Sequence, residues 1–127
     1  MNWTEIEKKY PNSSDACHDW FEKQWSVILE INNDGRLGYK ITDGVHAVEM
    51  FIPLYGNRWL YDFFDEQGIY IGLDYHYAVG LARWFSLTII YDKEHYEDEL
   101  DTGIRKEAEY AAFLKAFEIL EEKLTKE

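Results

Sequence analysis

Apolar and polar positions change period several times along the chain. The first stretch is helical: Thr4 and Glu7 have capping-box spacing, and Pro11 ends a short helix near Tyr10. A second helix is predicted from Ser13 or Ser14 to about Gln24. Its residues Cys17, Trp20, Phe21 and Gln24 share one face at i, i+3, i+4, i+7. The period then falls to two. Trp25, Val27, Leu29 and Ile31 alternate with Ser26, Ile28, Glu30 and Asn32, and Asn33-Asp34-Gly35 supplies a hairpin turn. Leu37, Tyr39 and Ile41 alternate on the return strand. Thr42-Asp43-Gly44 makes a second turn, and a third strand runs from Val45 to Ile52, before Pro53.

Asn57 caps a helix that runs to about Gln67, with Gly68 just beyond its end and Leu60, Phe63 and Phe64 on its apolar side. A strand follows, with Ile69, Ile71, Leu73 and Tyr75 on one face and Tyr70, Gly72, Asp74 and His76 on the other. After a connection at 77–82, Phe85, Leu87, Ile89 and Tyr91 alternate with Trp84, Ser86, Thr88 and Ile90. Residues 92–101 read as a loop. A long helix at about 103–123 carries Tyr110, Phe113, Phe117, Leu120 and Leu124 as its stripe. The run DWFEKQ at 19–24 returns 43 residues later as DFFDEQ at 62–67, which suggests a duplicated αββ unit.

The order αα-βββ-αββ-α predicts one α+β domain spanning 1–127. Its expected centre is a five-stranded, mainly antiparallel sheet with helices packed on one face. Ile31, Leu37, Tyr39, Ile41, Val48, Ile71, Leu73, Phe85, Leu87, Phe113, Phe117 and Leu120 are the expected core.

Residues 61–69 (YDFFDEQGI) and 105–124 (RKEAEYAAFLKAFEILEEKL) resemble small acidic proteins of bacteriophages and bacterial mobile elements, a group with no assigned activity. The resemblance covers roughly the C-terminal half. Those proteins usually place a Thr-Arg cap before the Ala-rich helix, where this chain has Ile104 before Arg105. The resemblance implies a context: small acidic phage proteins often inhibit host enzymes, as anti-restriction and anti-CRISPR factors do.

Charge sharpens that picture. Among 127 residues, 25 are Asp or Glu and 13 are Lys or Arg, a net charge of −12. Residues 57–101 hold ten acids and three bases, so the charge is concentrated there. Such a surface repels nucleic acid and anionic lipid, which excludes direct binding of either. No apolar stretch is long enough to span a bilayer and no signal peptide is evident, so a cytoplasmic protein is expected. The single Cys17 excludes an intramolecular disulfide and a cysteine-based zinc cluster.

Catalytic patterns are thin. Cys17 and His18 are helix neighbours and point about 100° apart, so they make no thiol–imidazole pair. Asp15, His18 and Asp19 share a face at metal-ligand spacing, but charged residues so placed usually form a solvated surface. Asp74 and His76 share a strand face and could act as an acid–base pair, though no nucleophile accompanies them. His46 and His95 join no constellation, and phosphate-loop, dinucleotide and zinc-hydrolase motifs are absent. No catalytic residue, metal or cofactor is therefore expected.

Two features suit a protein partner. Asp92, Glu94, Glu97, Asp98, Glu99 and Asp101 put six acids into ten residues, either a solvated, solubility-giving loop or a docking patch for a basic surface. The sheet face away from the core would carry Ile28, Glu30, Glu49 and Phe51 beside Tyr70, Asp74, His76, Trp84, Ser86, Thr88 and Ile90. Tyr70, Asp74 and Trp84 are its expected anchors. The leading expectation is a non-enzymatic interaction protein that occupies a basic surface, plausibly the nucleic-acid site of a host enzyme. One rival is a small-ligand or sequestering domain with an aromatic pocket, for which Arg36, Lys40, Arg58 and Arg83 would have to meet any anion. A minor rival is a hydrolase using Asp74 and His76.

Overall fold

The computed structural model describes residues 1–80 and 82–126. Helices α1 (Trp3–Lys9) and α2 (Pro11–Trp25) come first, then strands β1 (Leu29–Ile31), β2 (Leu37–Asp43) and β3 (Val48–Pro53). Helix α3 (Trp59–Glu66) leads into β4 (Ile69–Tyr77), β5 (Arg83–Tyr91) and β6 (Glu94–Leu100), and α4 (Arg105–Thr125) follows. The α1 cap is Asn2 rather than Thr4: its Oδ1 accepts from the N–H groups of Thr4 at 3.1 Å and Glu5 at 3.3 Å. Pro11 both follows α1 and opens α2, at the first turn, where a missing N–H has no intrahelical partner to lose. Asn57 supplies no side-chain cap; α3 begins after Arg58.

The expected five-stranded sheet is replaced by two separate three-stranded antiparallel sheets, in the orders β1-β2-β3 and β4-β5-β6. The α+β class stands; the element order is αα-βββ-αβββ-α. The sixth strand is the acidic stretch expected to be a loop. Asp92 and Lys93 both take positive φ, 47° and 68°, and form a two-residue turn of the twist that hairpins favour. Tyr91 then pairs with Glu94, and the ladder runs on to Phe85 opposite Leu100. The turn lacks the glycine that usually advertises such a hairpin, and acids occupy both faces of the strand.

Both copies of the repeated hexapeptide sit at the end of a helix that precedes a three-stranded antiparallel meander. Each copy is thus followed by three strands rather than two. The two units are dressed differently. Over the second sheet, α3 and α4 converge on one face. Phe64 meets Phe117 edge-on at 5.0 Å, Tyr61 meets Phe113 at 5.0 Å, and Ile69, Phe85, Leu87 and Ile89 are buried beneath. Helices α1 and α2 add an outer layer against α4. Trp3 packs edge-on against Phe117 at 5.8 Å, and the buried Ser13 hydroxyl donates to the Phe117 carbonyl at 3.0 Å.

The first sheet is held mainly at its root. Leu37 is buried, and the Gly35 carbonyl accepts from the Trp3 N–H at 2.8 Å. Its far end extends beyond the helices, so Ile41 and Val48, expected in the core, are 42% and 51% exposed. Ile31, Tyr39, Ile71 and Leu73 are half-buried.

This difference has a measurable consequence. Phe117→Ala is expected to cost about 3–5 kcal/mol in urea unfolding, the range for truncating a buried phenylalanine. Ile41→Ala is expected to cost about 1 kcal/mol or less, because its side chain already meets water.

Candidate functional site

Strand alternation assigns each residue of the second sheet to a face. One face, with Phe85, Leu87 and Ile89, lies under the helices. The other carries Tyr70, Gly72, Asp74 and His76 from β4 and Trp84, Ser86, Thr88 and Ile90 from β5. Register adds His95, Glu97 and Glu99 from β6, opposite Ile90, Thr88 and Ser86. The face is open: Tyr70 is 54% and Ile90 51% exposed.

Three rows cross it. Tyr70, Ile90 and His95 form an apolar and aromatic end. Gly72, Thr88 and Glu97 follow, then Asp74, Ser86 and Glu99. Small side chains thus make the floor, and carboxylates from both edge strands flank it. A side chain added at Gly72 would touch nothing nearer than the Thr88 carbonyl, 3.8 Å away, so the space above that position is open. Asp74, Ser86, Thr88, Glu97 and Glu99 line a shallow depression of about 600 Å³, with the strand residues between them, Leu87 and Asp98, also bordering it.

Trp84 is half-buried and stacks on His76, with ring centroids 5.2 Å apart, so it walls the far end rather than standing free. Asp92 is at the turn and pairs with Lys123 of α4 at 3.4 Å. Glu94 and Asp98 point to the helix side of β6, where Tyr96 lies under the Lys115 ammonium at 4.5 Å. Asp101 is exposed beyond the strand. The structure therefore splits the acidic segment: Glu97 and Glu99 join Asp74, whereas Asp92, Glu94 and Asp98 do not. Reading 92–101 as a loop hid this partition. The available signal was Tyr96 and Leu100 sharing parity, with Glu97 and Glu99 on the opposite one.

Ile28, Glu30, Glu49 and Phe51, expected on the same face, are apart from it. Glu30, Glu49 and Phe51 belong to the first sheet, where Lys40 bridges Glu30 at 3.2 Å and Glu49 at 3.4 Å. Ile28 precedes β1 and is 78% exposed. The four cations weighed for an anionic ligand do not converge. Arg36 reaches a 310 Å³ groove with Lys106, Lys40 is taken by its carboxylates, Arg58 faces Glu109 at 3.9 Å, and Arg83 starts β5.

A nucleophile missed in the sequence does approach His76. The Ser86 Oγ lies 2.8 Å from His76 Nε2, one strand across. That is nucleophile-to-base distance. Ser86, however, is in the central strand, whose N–H groups are taken by the ladders on both sides. An acyl-transfer intermediate there would find no converging N–H donors. Among the described residues, no group of three His, Cys, Asp or Glu side chains is placed to hold a metal ion. No helix among them is long and apolar enough to cross a membrane. No protein-family model matches the chain, and no curated protein or solved structure matches it.

Burial perturbs several titrating groups away from this face, Cys17, His18 and Tyr61 among them. The Cys17 thiol, fully buried, is pushed well above its ordinary value. Burial lowers His18, against the pull of neighbouring acids led by Glu7. Tyr61 is pushed up to about 12, first by burial and then by the Glu109 carboxylate that accepts its hydroxyl. A raised phenol favours the folded state below pH 10 and loses that contribution as pH rises through about 12. An alkaline titration followed by phenolate absorbance is expected to show a component near pH 12 that Tyr61→Phe removes.

Proposed function

We propose that this is a non-enzymatic docking protein of the cytoplasm. Its open acidic sheet face occupies a basic surface on a partner protein, at the place where that partner holds nucleic-acid phosphates. The observation that supports the reading most is the convergence of Asp74, Glu97 and Glu99 from opposite edges of one sheet over a floor of Gly72, Ser86 and Thr88. Acids on an edge strand also keep another chain from adding to it. That protection works with acids on either face. It does not require Asp74 to fall in the same row as Glu99.

The physics suits a basic partner. Residues two apart on a strand, as Glu97 and Glu99 are, lie about 7 Å from each other. That is near twice the ~3.4 Å charge spacing of one DNA strand. The net charge of −12 steers a basic surface toward the face, and the exposed Tyr70 and Ile90 offer apolar contact beside the carboxylates. Free cations such as Lys and Arg side chains fit the open floor, where a carboxylate stands on either side.

The test is capture from a bacterial lysate at low and moderate salt, followed by affinity measurement with the captured protein. A nucleic-acid-binding partner is expected, with DNA or RNA competing for its surface. Affinity falls as salt rises, chiefly through slower association. Combining Asp74→Asn, Glu97→Gln and Glu99→Gln is expected to weaken binding at least tenfold, with the thermal midpoint unchanged or slightly raised. Wild-type affinity for that variant across the salt range would refute the reading.

A further inference from the structure

Across the sheet from the acidic face, in the helical layer, the last turns of α2 and the length of α3 bound a cleft of about 320 Å³. Trp20, Trp25 and Trp59 line it, together with Asp62, Asp65 and Glu66. Gln24 is the remaining lining residue, so no basic side chain borders the space. The cleft is at the small end of the roughly 300–1,000 Å³ typical of ligand sites.

Its walls are ordered before any ligand arrives. The indoles of Trp20 and Trp59 are nearly parallel, 9° apart, with centroids at 6.5 Å. Trp3 stacks on Trp59 at 5.8 Å, and Phe21 meets it edge-on at 4.8 Å. The Trp20 indole N–H donates to the Glu66 carboxylate, which fixes that ring and makes it more electron-rich. Trp25, by contrast, is 61% exposed at the end of α2 and touches only the Phe21 ring, tilted at 6.2 Å, among the ring contacts of the described residues.

The lining carries one sign of charge. Three carboxylates border the cleft with no ammonium or guanidinium among the lining residues, and the C-terminal turn of α2 adds its partial negative charge. The whole molecule adds its net −12. An anion is repelled and a neutral ligand leaves the carboxylates unused. A metal ion would need ligand geometry that the described residues do not supply. A small hydrated cation keeps its water and gains little from indole faces. An alkylated ammonium group differs: it is weakly hydrated, its methyl groups bury against the indole walls, and its charge is attracted by the exposed Trp25 ring and by the carboxylates.

We propose that the cleft between α2 and α3, walled by Trp20, Trp25 and Trp59 and rimmed by Asp62, Asp65 and Glu66, binds a quaternary ammonium group. The site is separate from the docking face, so either reading can fail alone.

Isothermal titration of the full chain with tetramethylammonium chloride tests it, with sodium chloride as the ionic-strength control. Saturable binding at millimolar concentration or below is expected, weakening from tetramethylammonium to methylammonium to ammonium. Trp25→Ala, at an exposed position that leaves the fold intact, is expected to weaken it on the order of tenfold. Asp62→Asn combined with Asp65→Asn is expected to weaken it several-fold. Choline and a trimethyl-lysine amide form two further arms: both are expected to bind, and the tighter one names a free metabolite or a modified side chain as the source. A response no different from sodium chloride would overturn the proposal. So would folded variants that bind tetramethylammonium as the wild type does, or failure of both choline and the trimethyl-lysine amide to bind.

Discussion

Helix α4 can bury its phenylalanines against only one face of β4 and β5. Phe113, Phe117 and Leu120 reach down to Ile69, Leu87 and Ile89, and Ala108, Ala112 and Ala116 are buried along the same helix. The other helices are committed to this seam as well. α3 contributes Phe63 and Phe64 beside α4, and α1 and α2 lie over it through Trp3, Ile6 and Cys17. With every helix on one side, no helix among the described residues covers the opposite face of the sheet. Its residues follow from that constraint: Ser86, Thr88 and Gly72 along the middle, carboxylates at the edges, and a few exposed apolar side chains at one end.

Elements with a strong period were legible in the residues. The alternation of β4 and β5, the C-terminal glycine of α3 and the centre of the α4 stripe at Phe113, Phe117 and Leu120 predict what is found; Tyr110, at the start of that stripe, is exposed, and Ala108, Ala112, Ala116 and Ile119 are buried instead. Gly68 does take a positive φ of 77°. Two features misled. The hairpin into β6 turns on Asp92-Lys93, which lacks glycine, and its strand is acidic on both faces, so the turn gives no signal and the alternation only the shared parity of Tyr96 and Leu100. Sheet membership was also hidden. Periodicity assigns a residue to a face, but nothing local says whether two meanders join edge to edge. Here they do not, and Glu30, Glu49 and Phe51 are separated from Tyr70 and Asp74 even though their parity was read correctly. The same ambiguity placed Ile41 and Val48 in a core that does not extend that far.

The candidate site was legible as a composition and not as an arrangement. Six acids in a run of ten are visible whatever their conformation. Only the ladder register shows that Glu97 and Glu99 stand with Asp74 while Asp92 is occupied by Lys123. The tryptophan cleft was further from view. Trp20 reads as a core position on its helix, and Trp25 reads as the start of a strand. Their meeting with Trp59 depends on the packing of α2 on α3.

The central claim is that the open face of β4, β5 and β6 meets the partner. Carbodiimide labelling of carboxylates, read by mass spectrometry with and without the captured partner, addresses it residue by residue. The account expects Asp74, Glu97 and Glu99 to be protected in the complex, while Glu5, Asp34 and Asp62 label as in the free protein. Unchanged labelling of Asp74, Glu97 and Glu99, with protection elsewhere, would contradict it.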